Sequence, residues 1–193
     1  MDDKLRKRID ELAKEEISIV PYNVVWQKMF EDEADFLRKK LHQCLIKRIE
    51  HFGSTAVPGL SAKPIIDILV EVTSLEKTKR QIVPVLEAEG YEYFYRPAFG
   101  DSGPPYYAWF IKRDSKGKRT HHIHMVEADS ELWDRLYFRD YLKEFPKVAD
   151  LYNDLKIELS KEYSKDRVKY TDEKSGFIHS FTEKAKKYYE RKK

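Results

Sequence analysis

A lone acid, Asp67, sits inside the apolar run Pro64-Ile-Ile-Asp67-Ile-Leu-Val-Glu71-Val72. A buried carboxylate is costly unless it is paired or bound to a cation, so Asp67 calls for a partner. His121-His122-Ile123-His124 offers one. On a strand, residues i and i+2 face the same way, so His122 and His124 project to one face and His121 and Ile123 to the other. If that strand neighbours the Asp67 strand, Asp67, His122 and His124 form a metal site of two imidazoles and one carboxylate. Such donors favour zinc, manganese or iron over magnesium. The alternative use for the histidines is hydrogen bonding to phosphate, to Glu127 or to water. A histidine-triad hydrolase is excluded, because the next alternating position is Val126.

The elements that must position these residues follow from apolar period and turn residues. Asp2–Glu16 reads as a short amphipathic helix, Glu16–Val20 as a strand stopped by Pro21, and Asn23 as the cap of a helix carrying Trp26, Leu37, Leu41, Cys44 and Leu45. Arg48–Phe52 and Pro64–Val72 read as strands joined through Gly53-Ser54 and Pro58-Gly59, the second buried on both faces. Ser74 caps a helix that Pro84 kinks or splits. Tyr91–Arg96, Tyr106–Arg113 and Thr120–Val126 are strands, the last two a hairpin across Asp114–Gly117. Ala98–Pro105 is a loop able to line a site. Ser130–Phe145, Pro146–Val168 and Asp172–Arg191 are three helices, with Gly176 a weak point in the last.

The chain has 193 residues, 41% hydrophobic and 37% charged, enough for one domain with a real core. A formal net charge of +3 gives no large positive field, and the 13 tyrosines are scattered, so RNA is an unfavoured partner. Cys44 is the single cysteine, which excludes an intrachain disulfide or cysteine zinc site, and its apolar surroundings predict an inert core thiol. No signal peptide and no membrane-spanning run is visible, so the expected location is cytoplasmic. The oligomeric state is not readable.

The string His51-Phe-Gly53-Ser54-Thr-Ala-Val-Pro-Gly-Leu-Ser-Ala-Lys63-Pro-Ile-Ile-Asp67 closely resembles the signature of the GrpB family. That family is usually grouped with the polymerase-β-type nucleotidyltransferase superfamily. Val20-Pro-Tyr-Asn with Trp26, His122-Ile-His124, Phe138–Leu142 and the stretch from Tyr170 through Lys174 to Ile178 are similar to its other landmarks, so the resemblance spans about residues 18–185. It implies an α+β fold with a minimal nucleotidyltransferase-like mixed sheet over residues 17–128 and a packed helical extension over 129–193, all one domain.

The resemblance also implies a chemistry. In the superfamily, carboxylates clamp two divalent ions, and a Gly-Ser turn brings backbone amides and a hydroxyl to the triphosphate. Gly53, Ser54 and Asp67 match this pattern, with Asp67 the catalytic, metal-ligating acid. Leu69 stands where the second acid belongs, and Glu71, four residues on at about 3.3 Å per residue, is too far to replace it. Lys63 is a phosphate contact or a solvated loop lysine. His51 reaches the same pocket or packs as a core histidine. Arg119, Arg139 and Lys174 are further phosphate contacts or ordinary surface charges. Glu50 is a spare acid. The expected ligand is a nucleotide or phosphorylated small molecule with a divalent metal: magnesium or manganese, or zinc if His122 and His124 are ligands. Nucleotidyl transfer is the activity the resemblance implies, against which Leu69 leaves the two-ion site incomplete. The rival is a non-catalytic binding module that regulates or scaffolds a partner.

Overall fold

The computed structural model describes residues 15–97 and 105–192 of the chain. Helix α1 (Val25–Lys40) opens after Asn23, whose side chain accepts the Val25 amide at 3.0 Å, and buries Trp26, Ala34 and Leu37. It stops short of the expected Leu45. The amide of Cys44 turns to His42 Nδ1 (3.2 Å) and that of Leu45 to the His42 carbonyl (2.8 Å), a local alternative to helix. Leu41 and Leu45 still enter the core, but Cys44 rides on the outside of this turn and is exposed, contrary to the core thiol expected.

The sheet has five strands in the order β1-β2-β5-β4-β3: β1 (Ile46–Phe52), β2 (Ile66–Val72), β3 (Glu92–Pro97), β4 (Tyr106–Arg113) and β5 (Arg119–Val126). β2 and β5 are parallel, with Asp67 opposite His122 and Leu69 opposite His124, while the other neighbours are antiparallel. The fold is therefore α+β with a mixed sheet. The crossover contains α2 (Leu75–Lys77), capped by Ser74, then a π turn (Thr78–Ile82) and α3 (Val83–Ala88). Pro84 is the cause of the irregularity. It has no amide hydrogen and its ring crowds the carbonyl four residues back, and the wider turn closed by Val83 N–H to Thr78 O relieves both.

The strand expected at Glu16–Val20 forms only a single bridge, Val20 to Ala62, and Ile17 donates instead to the Ser164 carbonyl at 2.9 Å. The segment is drawn off the sheet because Ile17 packs with Leu159 and Tyr170 of the C-terminal helices. The helix expected over Asp2–Glu16 lies outside the described residues except at Glu15 and Glu16, which are not helical. The loop expected at Ala98–Pro105 also lies outside them, up to residue 104.

The sheet has two dissimilar faces. One carries Ile66, Ile68, Val70, Phe110, Ile123 and Met125 against Trp26, Leu37, Ile82 and Leu86. The other carries Asp67, Leu69, Tyr107, Trp109, His122 and His124, and here the C-terminal helices form the cover. These are α4 (Arg135–Glu144), α5 (Pro146–Glu162) and α6 (Arg167–Glu190), the first entered through a Ser130-capped 3-10 turn. Leu60 and Val57 of the loop after β1 pack on Phe138, Leu142 and Tyr152. Lys156 donates to the Ser61 carbonyl and Asn153 Oδ1 accepts the Ser61 amide at 3.1 Å, so α5 holds that loop in place.

Helix α6 runs unbroken through Gly176, starting at Arg167 because Asp166 caps it by accepting the Lys169 amide. Gly176 is exposed, and a methyl group there would meet nothing within 4 Å. Gly176→Ala is expected to stabilise the protein by about 0.8–1 kcal/mol, the helix-propensity difference, read as a higher urea midpoint with an unchanged m-value.

Candidate functional site

The parallel pairing of β2 with β5 delivers three donors to one point: ligand atoms of Asp67, His122 and His124 all lie within 4.8 Å of one another. Asp67 Oδ1 is 3.1 Å from His122 Nδ1 and 4.0 Å from His124 Nε2. Burial pushes the Asp67 carboxyl up, but the hydrogen bond donated by His122, with the Lys63 charge beyond it, outweighs that and holds it below its ordinary value. An ionised carboxylate only accepts, so Nδ1 of His122 carries the hydrogen and Nε2 keeps its lone pair. The Nε2 atoms of both histidines are buried without a hydrogen-bond partner among the described residues.

An aromatic wall explains the state of these imidazoles. Tyr107 stacks on His124 with ring centres 5.3 Å apart, Phe52 meets it edge-on at 5.1 Å, and Trp109 meets His122 at 5.1 Å. Burial lowers His122 to about 4 and His124 to about 3, against the pull of Asp67. Both rings are neutral at pH 7, the form that ligates metal or accepts a hydrogen bond. Two neutral imidazoles and one carboxylate converge here, and once His122 Nδ1 gives up the hydrogen it donates to Asp67 the three donors fit a divalent ion of the zinc or manganese type.

Cations surround this cluster. On α6, Arg167, Tyr170 and Lys174 share one face by their spacing of three and four. The ammonium groups of Lys174 and Lys63 lie 4.3 and 5.1 Å from the Tyr170 ring centre. Burial lowers Lys174 to about 8, with Asp67 opposing and Arg135 and Arg167 adding to the shift. Burial and the neighbouring charges of Lys174 and Arg167 hold Lys63 well below its ordinary value. Arg96 lies 4.9 Å from the Trp109 ring centre, and the charges of Arg96 and Arg135 both reach His124.

The turn expected to hold phosphate closes one side. Gly53 has φ +73°, and a Cβ on it would sit 2.5 Å from Asp67 Oδ2. Only a glycine lets this backbone approach the carboxylate so closely. Ser54 opens a 3-10 turn (Ser54–Ala56), and its side chain meets the Tyr152 phenol.

The structure thus brings together Gly53, Ser54, Lys63, Asp67, His122, His124 and Lys174. Arg119 also reaches this face, through a bulge: Lys112 pairs with His121 but Arg113 with Arg119, so Thr120 is the extra residue and Arg119 turns to the His122 side. Its guanidinium is bound to Glu15 at 2.6 Å. Arg139 does not belong to the site. Its donors go to Glu50 (2.8 Å), the His51 carbonyl (2.8 Å) and both oxygens of Asp140, so it fastens α4 to β1, and Glu50 is taken up by it and by Arg48. His51 lies on the opposite face, paired with Ile68, stacked on Phe30 at 4.8 Å and hydrogen-bonded to Thr55 at 3.0 Å. Sequence reasoning passed over Arg96, Arg135, Arg167, Tyr107 and Trp109. The helical spacing of Arg167, Tyr170 and Lys174 was the one local signal; the others are single residues brought in by distant elements.

A mixed α+β sheet with a two-histidine, one-carboxylate cluster under a cationic helical cover is the class that fold and site define. The chain belongs to the GrpB family, matching the GrpB protein family over residues 16–184. It is 36% identical over 166 residues to the glutamate-rich protein GrpB of Alkalihalophilus pseudofirmus, covering 86% of this chain and 93% of that one. It is 35% identical over 176 residues to the UPF0157 protein YqkA of Bacillus subtilis, covering 91% of this chain but 49% of YqkA, about half its length. The crystal structure of conserved protein GrpB from Enterococcus faecalis superposes with a TM-score of 0.76 at 38% identity, over 89% of this chain and 99% of that one.

Two outcomes follow from the geometry. Gly53→Ala puts a methyl group against the Asp67 carboxylate at a strained φ and is expected to cost about 1–3 kcal/mol, measured by urea denaturation. His51 is lowered to about 4 chiefly by burial. Between the unfolded value near 6.5 and about 4, only the unfolded chain takes up this proton, so stability falls as pH falls through that window. Comparing urea midpoints at pH 7 and pH 4.5, the acid loss in His51→Phe should be smaller than in the unaltered protein by roughly 2–3 kcal/mol; an equal loss would assign the acid sensitivity elsewhere.

Proposed function

We propose that this protein binds a phosphorylated small molecule, a nucleotide in the leading case, together with one divalent metal ion at Asp67, His122 and His124. The observation that carries this reading is the unequal charge of the pocket: one carboxylate and two neutral imidazoles under Lys63, Arg96, Arg135, Arg167 and Lys174. A divalent cation alone meets net repulsion there, and an anion alone leaves the imidazole lone pairs unused. A metal–phosphate pair satisfies both. Asp67, His122 and His124 would hold the ion, which would supply polarisation of a phosphoryl oxygen, while the Gly53-Ser54 turn and the lysines hold phosphate and Tyr107 and Trp109 exclude water.

Nucleotidyl transfer on the minimal nucleotidyltransferase plan is the activity that the Gly53, Ser54 and Asp67 pattern suggests. Leu69 favours the rival, a non-catalytic binding module. It is fully buried with Trp109, Ile111 and Leu132, so no second acid stands two residues from Asp67 to hold a second ion. A single-ion site is what both versions share.

The test is a thermal-shift panel of nucleoside triphosphates with Mn²⁺, Mg²⁺ or Zn²⁺, run beside Asp67→Asn and His124→Ala. A ligand at 100 times its Kd adds about 2.7 kcal/mol, several degrees in melting temperature. The expected result is a rise that needs metal and nucleotide together and is absent in both variants. If no combination shifts the unaltered protein, or if the variants respond equally, the reading is wrong.

A further inference from the structure

Beside the metal-type cluster lies a second charged constellation. Glu15 accepts from Arg113 at 2.9 Å through one carboxylate oxygen and from Arg167 at 3.0 Å through the other, which also forms an ion pair with Arg119 at 2.6 Å. Arg113 has other partners in Glu92 and the Gly117 carbonyl. Arg119 and Arg167 are both largely buried, and each lies within the other's repulsive field. Burial and the Arg167 charge lower Arg119 to about 10, while Glu15 opposes the shift. Two buried guanidinium groups side by side need an anion between them.

Their place in the fold gives that anion a meaning. Arg119 is turned by the Thr120 bulge onto the face of His122 and His124, and its charge reaches His122. Arg167 begins the α6 face that carries Tyr170 and Lys174, and it lies within the field of Asp67. On the partner strand, Ile111 opposite His122 and Arg113 opposite Arg119 are two residues apart, about 7 Å at strand rise. A diphosphate or triphosphate spans that separation with a metal at one end; a single phosphate does not. Arginine forks suit a phosphate as well as a carboxylate.

We propose that Arg119 and Arg167 form an anion subsite for the far phosphate of a di- or triphosphate ligand, and that Glu15 occupies this subsite as an internal counter-anion until the ligand displaces it. Glu15 is suited to leave. It is one-third exposed and precedes a segment tied to the rest by the Ile17–Ser164 and Val20–Ala62 contacts. The segment carrying Glu15 thereby sets the affinity and the ligand length that the pocket accepts. This inference rests on the metal–phosphate reading above and deepens it.

The test is calorimetric titration of tripolyphosphate and of orthophosphate, each with Mn²⁺, into the full chain and into Glu15→Gln, Glu16→Gln and Asp67→Asn. Glu16 is exposed and controls for the loss of any acidic charge. The expected result is at least five-fold tighter tripolyphosphate binding in Glu15→Gln, no such gain in Glu16→Gln, and little gain for orthophosphate in either. If Asp67→Asn loses tripolyphosphate but Glu15→Gln binds it no more tightly than the unaltered chain, the subsite proposal fails while the metal–phosphate reading stands. If neither the unaltered chain nor Glu15→Gln binds tripolyphosphate, both fail. Should Glu15→Gln be unfolded in buffer, refolding on addition of tripolyphosphate supports the exchange. A lack of refolding, with Glu15→Asp binding no more tightly than the unaltered chain, overturns it.

Discussion

The contact between the Asp67 carboxylate and His122 across the β2–β5 ladder is the interaction on which the rest of the site depends. A charged group on a central strand survives only because neighbours compensate it, and each neighbour comes from a different part of the chain. Gly53 gives up its side chain so that the turn after β1 can lie against the carboxylate. The parallel crossover from β2 to β5 sets Asp67 opposite His122 rather than one residue off, a slip that would turn every donor to the other face. The C-terminal helices bring the cations.

The two faces of the sheet handle buried polarity differently. On the α1 side, Glu33 is buried but accepts from both Tyr91 and Lys112, and His51 has Thr55 and Phe30. Glu33 is fully paired, but His51 Nδ1, Tyr93 Oη and His121 Nε2 have no partner among the described residues, so the difference between the faces lies in their charge. On the site side, Nε2 of His122 and of His124 are likewise without partners among the described residues, and here cations outnumber the acids near them. Unsatisfied imidazoles and surplus positive charge are poor choices for stability alone, and clusters of this kind are where binding chemistry is found.

The fold also shows why family likeness and chemistry need separate arguments. Leu69 faces the same side as Asp67, yet it is enclosed by Trp109, Ile111, Val126 and Leu132. An acid in that position would be buried among apolar groups. The local packing is therefore built for an apolar residue, and the donors that complete the cluster are the histidines of β5. Arg139, read from sequence beside the phosphate contacts, instead ties α4 to β1, the strand that leads into Gly53, and so supports the turn.

By itself the sequence determined the strands around Asp67, the Gly53-Ser54 turn, the shared facing of His122 and His124, the Ser74 and Asn23 caps or helix starts, and the irregularity at Pro84. These depend on local rules: side-chain alternation, φ preferences, and the missing amide hydrogen of proline. Tertiary structure alone decided that β2 and β5 are neighbours and in which register. It also decided that Cys44 turns outward, that Glu16–Val20 leaves the sheet for the C-terminal helices, and that Arg119 is rotated by a bulge into the grasp of Glu15. The cationic cover of Arg96, Arg135 and Arg167 belongs to the same class. Charges are interchangeable in local pattern, and their role depends on long-range distance and burial, which no window of sequence contains.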